Sequence, residues 1–93
     1  MAQASADIDL EDFYRTNDMA MATYLKMQGH PVQTLIWAHD VCFWVFRVTD
    51  ALLEETEVFL EGGARVEPRA YNRTFSDTKR EFYDSKDRRQ GRR

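Results

Sequence analysis

The run Val41-Cys42-Phe43-Trp44-Val45-Phe46-Arg47-Val48 constrains this chain more than any other segment. It is built from β-branched and aromatic residues, and as a strand it is apolar on both sides. Val41, Phe43 and Val45 point one way; Cys42, Trp44, Phe46 and Val48 point the other. Such a strand belongs at the centre of a sheet, with helices over one face and the rest of the chain or a partner over the other. Val32 to Trp37 reads as a second strand, and Ala38-His39-Asp40 between the two is a polar connection of hairpin length. Phe13-Tyr14-Arg15-Thr16 has the length of an edge strand.

Helix signals surround these strands. Thr16 or Asn17 suits an N-cap, and Met21, Ala22 and Leu25 recur at helical spacing. Gly29 and Pro31 then stop the helix, which is predicted over 17–28. Thr49 or Asp50 caps a second helix that Gly62-Gly63 ends. Within it Leu52, Thr56 and Phe59 form one row, and Leu53 and Leu60 a neighbouring row expected to be a more buried side. Pro68 suits the first position of a third helix. There Tyr71, Phe75, Thr78 and Phe82 make a stripe reaching about Ser85.

The expected fold is therefore α+β: a small antiparallel sheet, a hairpin plus an edge strand, packed against two to three helices. With 93 residues the chain holds a single domain, placed at 11–85. Residues 1–10 are expected to be a flexible arm and 86–93 a basic flexible tail. The opening residues lack the basic end and apolar stretch of a secretory signal, and no apolar run approaches the ~20 residues of a membrane span. The one cysteine, Cys42, excludes an internal disulfide and a cysteine-built zinc site. It reads as a buried structural thiol, which suits a reducing cytoplasm.

Two segments share residues with a known pattern. Tyr14-Arg15-Thr16-Asn17-Asp18-Met19-Ala20-Met21-Ala22-Thr23-Tyr24-Leu25 with Gly29 is one; the Phe43 to Phe46 strand with Glu61-Gly62-Gly63-Ala64-Arg65-Val66-Glu67-Pro68-Arg69-Ala70-Tyr71 is the other. Together they resemble a small domain family of unknown function found in phages, prophages and bacteria. The resemblance spans roughly residues 13–84 and implies a mobile-element origin. It implies no activity and no site residues.

Charge is divided along the chain. Residues 1–61 hold 11 acidic and 3 basic side chains, and residues 62–93 hold 5 acidic and 10 basic. No lysine or arginine occurs between Val48 and Ala64, where Glu54, Glu55, Glu57 and Glu61 gather on one helix. Like charges at helical spacing repel. A sequence that keeps them presents an anionic surface suited to a basic partner, such as a nucleic-acid-binding protein of the host or phage. The favoured expectation is thus a non-enzymatic interaction protein that binds through this surface and inhibits a host nucleic-acid-handling or defence complex.

The alternative is a nucleic-acid-binding accessory protein. Its residues are Arg69, Arg73, Lys79 and Arg80 on the third helix, with Lys86, Arg88, Arg89, Arg92 and Arg93 beyond. The aromatic strand invites comparison with base-stacking RNA-binding sheets, but it lacks the basic and glycine residues that open that motif. Trp44 and Phe46 are better explained by core packing or by a homodimer through that strand face. No catalytic residues, metal ligands or cofactors are expected. His39-Asp40 fits a turn, His30 is a loop residue before Pro31, and no nucleophile elbow or phosphate-cradling glycine loop occurs.

Overall fold

A computed structural model describes residues 12–90. The order is β1 (Phe13–Thr16), α1 (Met19–Met27), β2 (Val32–Ala38), β3 (Val41–Arg47), α2 (Asp50–Leu60) and α3 (Pro68–Arg89). The three strands form one antiparallel sheet in the order β1-β3-β2, so the doubly apolar strand is central. This is the small α+β arrangement that the strand pattern dictates.

β2 and β3 are joined by a tight turn in which His39 and Asp40 both take positive φ, 53° and 65°. Two left-handed residues in a two-residue loop match the right-handed twist of the flanking strands. Ala38 pairs with Val41, Trp37 with Cys42 and Leu35 with Trp44; an irregularity between Val32 and Thr34 then shifts the register. Val32, Leu35 and Trp37 thereby share a face with Cys42, Trp44 and Phe46. On β1, Tyr14 and Thr16 pair with Phe46 and Trp44 and join that face.

The helices cover this side. The core joins Met21, Ala22, Tyr24 and Leu25 of α1 to Cys42, Trp44 and Phe46 of β3 and Leu52 of α2. Phe82 of α3 lies beside both tryptophans, its ring centre 5.6 Å from Trp37 and 6.4 Å from Trp44. Each indole N–H, which would lose water on burial, donates to α3: Trp37 to Ser85 Oγ at 2.8 Å and Trp44 to Glu81 Oε1 at 3.2 Å.

Local signals set the helix ends. The cap of α1 is Asp18, whose carboxylate accepts from the N–H groups of Ala20 and Met21. Thr16, one of the two expected caps, is taken up by β1, and its hydroxyl accepts from Asp18 N–H. Gly29 ends α1 at φ 96°: its N–H reaches Lys26 O and that of His30 reaches Leu25 O. Thr49 caps α2, and Gly62 and Gly63 close it with the same pair of bonds. Glu67 caps α3 ahead of Pro68. Its carboxylate sits below the usual range because it accepts from Ala70 N–H and Arg69 N–H.

Two expectations are corrected. α3 does not stop near Ser85; it runs to Arg89, so Lys86, Arg88 and Arg89 are helical rather than part of a flexible tail. The reason is tertiary. Arg89 lies on the packed side of the helix, with its guanidinium 4.8 Å from the Trp37 ring centre and 2.9 Å from Asp40 Oδ1. Leu53 and Leu60 are also not on a buried side: they are 38% and 72% exposed, while Leu52, Thr56 and Phe59 face inward. The expected arm at 1–10 and Arg92 and Arg93 lie outside the described residues.

Candidate functional site

α2 packs by one narrow row. Leu52 is fully buried and Thr56 nearly so, and Phe59 lies 5.6 Å from the Tyr24 ring. At 3.6 residues per turn, Glu54, Glu57 and Glu61 fall opposite that row. All three are exposed, and none forms an ion pair among the described residues. Leu53 and Leu60 flank this acidic ridge on one side, and Val58, 38% exposed, flanks it on the other. The outer surface of α2 is therefore acidic along its crest and apolar on its shoulders.

Glu55 does not belong to that surface. One residue on from Glu54 is a rotation of about 100°. This carries Glu55 toward the core-side loop, where its carboxylate meets His30 Nε2. The pair ties α2 to the α1–β2 connection. Of the four glutamates expected to share a recognition face, three do.

The basic residues of α3 are interleaved with acids. Arg69, Arg73 and Arg80 are exposed, but Asp77, Asp84 and Asp87 occupy the same outer arc, and Arg80 Nη1 is 2.9 Å from Asp77 Oδ1. Lys79 leans over the Phe75 ring at 5.8 Å. Arg89 is held by Trp37 and Asp40 as described. Lys86 and Arg88 lie in the last turn, where cations suit the negative end of the helix dipole. Among the described residues, these side chains do not join into a continuous basic surface.

An open cleft of about 460 Å³ lies between α1, α3 and the start of β2, lined by Lys26, Gly29, His30, Pro31, Val32 and Glu81. Lys26 Nζ sits 3.0 Å from both carboxylate oxygens of Glu81 and 3.1 Å from Thr78 Oγ1. Glu81 also accepts from the Trp44 indole. The lysine, carboxylate and indole thus satisfy one another, which suits a structural network. Sequence reasoning missed this network because Lys26 and Glu81 are 55 residues apart. The only local signal was a charge next to each helix's apolar row. Among the described residues no three His, Cys, Asp or Glu side chains converge as metal ligands. Cys42 is buried, and desolvation pushes its thiol up to about 11, which keeps it protonated and unreactive.

No described helix is long and apolar enough to cross a membrane. Comparison with protein-family models, curated proteins and solved structures found no match.

Proposed function

We infer that this chain is a non-enzymatic interaction protein whose α2 surface docks a basic protein partner. The observation that carries the inference is Leu60, 72% exposed beside the crest of Glu54, Glu57 and Glu61. An acidic face alone is ordinary solvated surface. An acidic face with leucines on its shoulder offers both steering and burial: charge speeds encounter, and apolar contact retains the partner. A cationic surface with an apolar groove is complementary to it, as on proteins that handle nucleic acid. With the mobile-element origin that the resemblance implies, the proposal extends to inhibition of a host nucleic-acid-handling or defence complex. The nucleic-acid reading based on α3 has less support, because its arginines share their face with three aspartates.

The test is capture of the partner from a host lysate, followed by titration with purified components. Reversal of Glu54, Glu57 and Glu61 to lysine should weaken binding at least about tenfold at low salt, mainly through slower association. Leu60→Asp should weaken it through faster dissociation. Both variants should retain the wild-type melting temperature. Unchanged affinity in both would return α2 to plain solvated surface and remove the proposal.

A further inference from the structure

β2 lies at the edge of the sheet, with β3 as its one neighbour. The two-residue turn at His39 and Asp40 makes Ala38 and Val41 the closing hydrogen-bonded pair. Positions in an antiparallel pair alternate between bonded and non-bonded, so Ala38, Ile36 and Thr34 turn their N–H and C=O groups toward β3. Leu35 and Trp37 turn theirs outward. Among the described residues no turn, loop or side-chain hydrogen bond reaches these outward backbone groups.

Edge strands are ordinarily blunted by charge, by proline or by brevity. β2 has seven residues, Val32-Gln33-Thr34-Leu35-Ile36-Trp37-Ala38, with no charged side chain and no proline. Its start is irregular: Val32 pairs with Phe46 and Thr34 with Val45, so Gln33 is an extra residue that bends the strand. The regular edge therefore runs from Thr34 to Ala38. Ile36, 36% exposed, is its midpoint.

We propose that β2 pairs antiparallel with β2 of a second copy of this chain, about a two-fold axis at Ile36, so that the two sheets become one. This register uses the whole regular edge. Ile36 faces the second copy's Ile36, Leu35 faces its Trp37, and Thr34 faces its Ala38. Leu35 and Trp37 then exchange N–H···O=C bonds with their counterparts, and every outward backbone group of the regular edge is satisfied. The occupant is a second copy rather than a foreign strand because the edge is uncharged. Self-apposition brings no like charges together, and a neutral edge holds no charge to select a foreign segment. The contact is short, below the area of a standard stable interface, so the association is weak and reversible. The inference concerns β2 alone and does not depend on the α2 surface.

The test uses the full chain in sedimentation equilibrium from about 5 to 500 μM, the range in which a small interface associates reversibly. The average mass should rise from monomer toward dimer across that range, and amide exchange at Leu35 and Trp37 should slow in parallel. Ile36→Lys sets two ammonium groups opposite one another at the axis and should leave a monomer throughout, with the wild-type melting temperature. Cross-linking reads the register without relying on that variant. Facing Cα atoms of a non-bonded antiparallel pair lie about 4.5 Å apart, within disulfide range, whereas the two copies of residue 34 would lie about 13 Å apart. Ile36→Cys should therefore form a disulfide-linked dimer on mild oxidation and Thr34→Cys should not; the native Cys42 is buried and does not interfere. A monomer at every concentration would overturn the proposal. So would a dimer that Ile36→Lys leaves unchanged, or cross-linking of Thr34→Cys as fast as that of Ile36→Cys. A foreign extended peptide that binds β2 of a chain otherwise monomeric would also overturn it, by assigning the edge to another protein.

Discussion

Thr23 of α1 and Thr78 of α3 place their hydroxyl oxygens 3.1 Å apart, with neither residue exposed to solvent. Each hydroxyl is also within reach of a carbonyl of its own helix, Met19 O for Thr23 and Thr74 O for Thr78. Lys26 Nζ donates to Thr78 Oγ1 from the rim. Two small side chains let the helices approach closely, and the shared hydrogen bonds satisfy the buried oxygens. Thr23→Val or Thr78→Val alone should cost about 1–2 kcal/mol, because each leaves the partner hydroxyl with fewer bonds. The double variant should cost less than the two singles combined. Denaturant unfolding of the four proteins in a double-mutant cycle measures that coupling, and strict additivity would show the two threonines act independently.

The two faces of β3 should respond differently to truncation. Trp44 is 1% exposed and contacts Phe82 and Glu81, so Trp44→Ala should cost about 3–5 kcal/mol. That is most of the stability a domain of this size possesses. Phe43 is only half-buried and lies outside the core cluster, so Phe43→Ala should cost less than about 1.5 kcal/mol. Equal losses in thermal melts would mean the outer face is core as well.

Cys42 makes stability fall in alkali. Its ordinary value is 9.0 and burial raises it to about 11 in the folded chain, so folding favours the protonated thiol. The stabilisation is complete below pH 9.0, the unfolded value, and is lost as pH rises toward 11. The Tyr71 hydroxyl is also raised, mainly by burial and secondarily by the Asp18 charge, and acts in the same direction. Cys42→Ala should flatten part of the fall in melting temperature between pH 9 and 11. The native thiol should react with iodoacetamide at pH 8 only at the rate of unfolding. Fast labelling of the folded protein would show an accessible thiolate instead.

Arg89 anchors the end of α3. Stacking on Trp37 contributes about 0.5–1 kcal/mol and the exposed pair with Asp40 at most about 1. Arg89→Ala should therefore cost about 1 kcal/mol and lower the melting temperature by roughly 4–8 °C. Truncation after Ser85 should cost at least as much. A truncated chain as stable as the whole would show that Lys86 to Arg89 contribute nothing to the fold.

Much of the architecture is encoded locally, and for that reason it was legible in the sequence. Apolar residues on both faces marked β3 as central. Gly29, Gly62, Thr49 and Pro68 act within one helical turn of themselves, so the ends they set needed no knowledge of the fold. The charge pattern located the acidic helix for the same reason, since Glu54, Glu57 and Glu61 share a face by periodicity alone. What the tertiary structure decided was everything that depends on which surfaces meet. Leu53 and Leu60 are as apolar as Leu52, and only the docking of α2 on Leu52 and Phe59 left them outside. Glu55 leaves the acidic face by helical rotation alone, but its pairing with His30, 25 residues earlier, depends on the packing. The last turn of α3 was held by Trp37, Lys26 was matched to Glu81, and Arg15 came to lie over Phe43 through strand register. Such contacts join residues far apart in the chain, and periodicity carries no information about them until the strands and helices are packed.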